Sequence, residues 1–273
     1  MKTRPTTSAI LLTVFAITIM GSVAFTQYSI YVLSSLNVST SQIYTVPPYE
    51  ELLVLLVALF GITALFIYLI KRGLQKIIFW SFVAISWLIL FDFFQFILSA
   101  VFALIVSILL VLYYYRYSGR TGRNVINVVI FLTVASTLSL ALGLVPSVIL
   151  TAIIAIYDYI AVYKTKHMIK LAKGISEYGS LAGFVFQAKN LIKKRAILLG
   201  GGDVVFPAVL INSVFTAYGA IASTFTFAGA LTGLWIIIAF GKRNKAYPAM
   251  SFIGPLELLA LGIFLMLSML IRL

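Results

Sequence analysis

Residues 195–214 read RAILLGGGDVVFPAVLINSV, an arginine followed by an apolar run that carries one acid, Asp203. Apolar runs of roughly 17–25 residues are what a helix needs to cross a bilayer. A carboxylate inside such a run costs about 2.5–3.5 kcal/mol on insertion scales, so it is a functional-site candidate by default. Gly200, Gly201 and Gly202 abut the acid. Each glycine costs roughly 1 kcal/mol against alanine in a helix, and together they leave backbone that another chain can approach closely. Pro207 follows Asp203 by four and has no N–H to bond the Asp203 carbonyl. Asp203 therefore sits in a weakened, accessible turn. Glycine packing between membrane helices is the plainer account of the run, but it leaves the adjoining acid unexplained.

The whole chain has the character of this stretch. Of its 273 residues, 62% are hydrophobic and 10% charged, where a soluble domain carries about 25% charged residues. The class is membrane protein, and all 273 residues read as one helical bundle. The absence of cysteine excludes disulfides, thiolate nucleophiles and cysteine-ligated metals, and a single histidine, His167, excludes a histidine-rich metal site. No cofactor and no metal are expected. The net charge of +13 does not point to nucleic acid, because the basic residues fall in short loops between apolar runs, the pattern of topology determinants. They would also favour anionic lipid on one face.

Nine spans are expected: about 8–33, 50–70, 77–94, 97–115, 124–144, 146–163, 196–216, 219–240 and 248–271. The least secure division separates the third and fourth, where some forty apolar residues are interrupted only by Asp92 and Gln95. With a cytoplasmic N-terminus and an outer C-terminus, 19 of the 20 basic residues fall on inner segments, and only Arg272 lies outside. A wrong span count would scramble that alternation. Lys2 and Arg4, an apolar stretch and Ser22-Val23-Ala24 also resemble a signal peptide. The apolar run continues to Val32, which favours retention as an anchor. The loop of about 164–195 is basic and mildly amphipathic, with Leu171, Ile175, Leu181, Phe184 and Phe186 among its lysines. It is expected to lie on the lipid headgroups.

Four acids lie in or against the apolar runs: Asp92, Asp158, Asp203 and Glu257. Asp92 is expected to cap a wet turn between the third and fourth spans. Glu257 has either a water-filled cavity or a partner inside the bundle. Asp158 and Asp203 share a depth. Asp158 precedes Lys164 by six residues, roughly 9 Å of helix, and Asp203 follows Arg195 by eight, roughly 12 Å. Antiparallel neighbouring helices would place both carboxyls at nearly one level below the cytoplasmic surface. Two carboxyls in contact share a proton. One can then take a proton from water while its protonated partner polarises a peptide carbonyl. A proton or cation relay, or a polar pair fixing helix register, are the alternatives. A third element, Tyr247-Pro248-Ala249-Met250, opens the last span; taken alone it is an ordinary span entrance.

Together these segments resemble the presenilin and signal-peptide-peptidase superfamily, the GxGD intramembrane aspartyl proteases. Tyr157-Asp158 matches its YD motif, Gly200-Gly201-Gly202-Asp203 its GxGD motif, and Pro248-Ala249-Met250 its PAL motif, in the expected order on spans six, seven and nine. The stretch from Ala155 to Gly174 looks especially like archaeal presenilin homologues, which implies a prokaryotic cell membrane. The resemblance implies that Asp158 and Asp203 are the catalytic dyad and that Pro248, Ala249 and Met250 shape the active site or help hold the substrate. Met250 replaces the family's leucine and keeps an apolar contact. Tyr157 and the three glycines are expected beside them. The cytoplasmic N-terminus favours the presenilin-like branch, and the short loop between spans six and seven speaks against self-cleavage. The expected activity is hydrolysis of peptide bonds within transmembrane segments of other proteins. The rival is a secondary transporter or ion-leak channel using the two aspartates as a relay, against which stands the lack of an inverted repeat. A prepilin-type peptidase also carries GxGD but lacks the YD and PAL partners.

Overall fold

The computed structural model describes residues 5–36, 48–165, 183–187, 196–241 and 247–271. Its helices are α1 (Pro5–Ser35), α2 (Pro48–Lys71), α3 (Gln75–Gln95), α4 (Ala100–Arg116), α5 (Arg120–Leu142), α6 (Leu144–Ile160), α7 (Gly202–Phe240) and α8 (Met250–Ile271). A π-helical turn, Ala161–Thr165, follows α6, and two strands, β1 (Gly183–Gln187) and β2 (Ala196–Gly200), precede α7. Among the described residues six helices are long and apolar enough to cross a membrane, with shorter apolar helices at Leu52–Phe66 and Ala100–Arg116. The break between α3 and α4 falls where the sequence was hardest to divide. There Asp92 accepts hydrogen bonds from Gln95 Nε2 at 2.8 Å and from Thr137 Oγ1 of α5 at 3.3 Å, which ties the turn to the bundle.

The 39 residues of α7 do not form one rod. Gly219 adopts φ 83° and ψ −172°, a conformation open to glycine and strained for other residues. Ser223 Oγ reaches the Ile211 carbonyl at 3.5 Å, whereas twelve residues of straight helix would separate them by roughly 18 Å. The arms 202–218 and 220–240 therefore fold back on each other, as the expected boundary between spans seven and eight requires. Counting the arms separately gives nine helical segments among the described residues. The second arm lies tight on α8. A Cβ on Gly229 would stand 2.5 Å from the Leu256 carbonyl oxygen, and one on Gly233 2.6 Å from Ile253 Cα.

α1 is anchored at the centre of the molecule. Phe15 and Ile19 are fully buried, Ser22 donates to Asn212 Oδ1 of α7 at 3.1 Å, and Thr26 donates to Ser136 Oγ of α5 at 3.0 Å. In an apolar bundle such side-chain bonds satisfy groups that lipid could not.

The all-α expectation is corrected in one place. Residues 196–200 are strand β2 rather than the start of a span, and they pair antiparallel with β1, Gly183 opposite Gly200 and Phe184 opposite Leu199. Three glycines resist helix initiation, and a partner strand satisfies the backbone groups instead. A Cβ on Gly183 would lie 2.5 Å from the Leu199 carbonyl oxygen, so the close pairing needs glycine there. The headgroup location expected for Phe184 is corrected too. Phe184 is fully buried, its ring 5.2 Å from that of Phe131, and Phe186 is half-buried. Burying an aromatic side chain in a packed core outweighs leaving it at an interface. Leu171, Ile175 and Leu181 lie outside the described residues.

Candidate active site

Asp158 sits near the end of α6, 6% exposed, three residues before the π-helical turn begins at Ala161. Its Oδ2 accepts the Met250 backbone N–H at 2.9 Å. Met250 is the first residue of α8, where backbone donors are left over and the helix end favours a negative group. Beside this bond, Ser251 Oγ donates to the Ala155 carbonyl at 2.8 Å. Gly254 lies so close to α6 that an added Cβ would be 3.2 Å from Ala155 Cβ. Helices α6 and α8 are thus locked at the level of the carboxylate.

Asp203 is the second residue of α7 and half-buried. Its Oδ2 accepts the N–H of Gly200 at 3.2 Å, and a Cβ on Gly200 would stand 3.0 Å from that oxygen. Gly201 is buried, and its carbonyl starts the helix by accepting the N–H groups of Val204 and Val205. Gly202 is exposed. The helices that carry the two acids pack on each other, with Ser147 Oγ of α6 and Ser213 Oγ of α7 2.9 Å apart.

The structure brings Asp158 and Met250 together, though they are ninety-two residues apart in sequence. Pro248, Ala249 and Met250 are all buried, Met250 only 1% exposed. Tyr157, beside Asp158, points elsewhere, and its half-buried ring meets Phe60 of α2 edge-on at 5.2 Å. An apolar cavity of 310 Å³ opens against Gly201 and Gly202, walled by Leu55, Phe82, Phe131 and Phe206 among others. Glu257 stands apart: it is fully buried, and neither of its carboxyl oxygens has a hydrogen-bond partner among the described residues.

Sequence reasoning missed the hairpin and what holds it. Asn124 and Asn127 of α5 both bond to the backbone of β1. The available signals were two amides three residues apart on one helix face and the alternating Gly183-Phe184-Val185-Phe186.

A helical bundle of membrane-length helices with one acid at the start of α7 and another bonded to the start of α8 defines a class of membrane protein with buried acids. The family described as signal-peptide peptidase, presenilin aspartyl protease, matches residues 9–265. The chain belongs to that family and is an aspartic endopeptidase of the intramembrane kind. Two solved structures are similar to it. One, of a presenilin family intramembrane aspartate protease in space group C222, has a TM-score of 0.67 and 17% identity, over 92% of this chain and 97% of that one. The other, of a presenilin family intramembrane aspartate protease in space group P2, has a TM-score of 0.55 and 21% identity, over 89% and 97%. These likenesses speak to the fold. No curated protein matches the sequence.

Proposed function

We propose that Asp158 and Asp203 form a catalytic dyad that hydrolyses peptide bonds within transmembrane segments of other membrane proteins. The observation that supports this reading is that α6, whose Asp158 accepts the Met250 N–H at the start of α8, packs against α7, whose first turn holds Asp203 bonded to the Gly200 N–H. One carboxylate removes a proton from water as the oxygen attacks the scissile carbonyl carbon. The protonated partner donates to the carbonyl oxygen, and the tetrahedral intermediate collapses with a proton passing to the leaving nitrogen. The Met250 N–H holds Asp158 in place during this exchange.

A helical substrate hides its backbone and has to unwind before water reaches a carbonyl. The hairpin offers the unwound segment a strand to pair with. Successive residues of a strand direct their backbone groups to opposite sides. The Gly200 N–H donates to Asp203, so Gly200, Leu198 and Ala196 carry the edge of β2 that faces away from β1. A third strand on that edge runs past the Asp203 carboxyl. Tyr157 backs the YD segment, Pro248 and Ala249 fix the entrance of α8, and the cavity beside Gly201 and Gly202 receives apolar side chains of the substrate. Nine crossings of the bilayer, with the N-terminus cytoplasmic and the basic connections against anionic lipid, complete the proposal.

The experiment offers purified protein in detergent or lipid a single-span substrate, beside the Asp158→Ala and Asp203→Ala variants. Loss of product in both supports the dyad, and unaltered product in either removes that residue from catalysis.

A further inference from the structure

We infer that Asn124 and Asn127 of α5 are positioning residues, a side-chain template that closes the outer edge of β1 and so directs a substrate strand to β2. This inference rests on the proteolytic reading above. Asn124 Nδ2 donates to the Val185 carbonyl at 3.0 Å, and the Val185 N–H donates to Asn124 Oδ1 at 3.1 Å. This is the double exchange that a residue of a neighbouring antiparallel strand would make. Two residues along, Asn127 Nδ2 donates to the Gly183 carbonyl at 2.8 Å, and Asn127 Oδ1 is held by the Tyr114 hydroxyl at 3.0 Å. Asn127 is 3% exposed.

Strand geometry makes the consequence specific. Val185 and Gly183 share a parity, and both direct backbone groups at α5. Phe184 and Phe186 therefore direct theirs at β2, where Leu199 and Ile197 face them in the register. β1 is thus paired on both edges, by a strand on one side and by two amides on the other. Of the hairpin's two outer edges, that of β2 has no strand beside it among the described residues, and this is the edge on which Gly200 touches Asp203. The asparagines act through the hairpin. By fixing β1 they fix β2, and through the register of β2 they set which peptide bond of a paired substrate comes opposite the carboxyls. A loose hairpin would still hold the acids but would offer the substrate several registers.

The test uses the full chain in detergent micelles, as wild type, Asn124→Ala and Asn127→Ala, with a synthetic single-span peptide as substrate. Hydrogen exchange is followed at the amides of Phe184, Val185 and Phe186, and cleavage products are sized by mass spectrometry. Exchange in 184–186 is expected to quicken, and kcat to fall about tenfold with KM little changed, the effect of losing roughly one hydrogen bond. Products should spread over bonds adjacent to the wild-type site, which a merely structural loss would not cause. Unaltered exchange would overturn the template. Faster exchange with an unaltered rate and a single unaltered cleavage site would overturn the positioning role. A wild-type chain that cleaves no single-span peptide would remove the proteolytic reading and the positioning role with it, leaving the exchange measurement to judge the template alone. If Asn127→Ala, which also strips Tyr114 of its partner, fails to fold as judged by its melting profile, Asn124→Ala carries the test.

Discussion

At the scale of single residues, the two aspartates differ in how they are held. Asp158 takes its donor from a different helix, through the Met250 N–H, whereas Asp203 takes one from three residues away. Met250→Pro deletes the first donor and keeps the start of α8, because proline is tolerated at the first helical position, while the loss of the buried Met250 side chain lowers the melting temperature. The expected result is a folded protein with a lower kcat, since a buried carboxylate deprived of a hydrogen bond is worse off by about 1–3 kcal/mol. Steady-state kinetics beside a melting curve checks this. A dyad with one carboxyl ionised and one protonated also predicts a bell-shaped pH profile. On the acid side the base gains a proton, and on the alkaline side the acid loses one, so kcat falls both ways. In Asp158→Asn and Asp203→Asn the rate should fall by about 10²-fold or more at every pH. Glu257 supplies a contrast. Its carboxyl oxygens lie buried without partners among the described residues, so Glu257→Leu, close in volume, should raise stability by about 1–3 kcal/mol. An upward shift of the melting temperature is the expected reading.

At the scale of elements, glycine does two different jobs in the last third of the chain. Gly219 has open space around it, and its requirement is conformational, a φ of 83° at the reversal of α7. Gly219→Ala should cost about 1–3 kcal/mol through backbone strain alone. Gly229 and Gly233 are helical, and their requirement is steric, since α8 backbone lies where their side chains would be. Gly233→Leu should therefore pry the second arm of α7 from α8 and cost more than Gly219→Ala, overpacking of a tight contact adding typically about 1–3 kcal/mol or more. Comparing the two melting temperatures in one detergent decides the order. Since α8 carries the Met250 N–H, the Gly233 variant should also lose activity before it unfolds.

At the scale of the molecule, the proposed orientation rests on where the basic residues fall between the apolar runs. The sequence has no cysteine, so single cysteines make clean topology probes. Ser99 lies between α3 and α4 and is exposed, and Tyr117 lies between α4 and α5 and is 73% exposed. With the N-terminus cytoplasmic, Ser99→Cys should react with an impermeant maleimide on intact cells, and Tyr117→Cys only after permeabilisation. The reverse pattern would invert the proposed topology. Much of this scale was legible without coordinates, because a helix that crosses lipid must be long and apolar and the loops must carry the charge. The helices from α2 to α6 begin and end within a few residues of the expected spans.

Sequence alone determined the class of protein and singled out the two acids as candidates, because burying charge in lipid is so costly that each such residue stands out in one dimension. It could not reveal the hairpin. Residues 196–200 are as apolar as a span, and only the presence of β1, bonded to Asn124 and Asn127, makes strand the better way to satisfy their backbone. Nor could spacing join Asp158 to Met250, ninety-two residues away. Contacts between distant segments depend on how helices pack, and packing is fixed by close approaches such as Gly254 against Ala155, which exist only once the chain is folded.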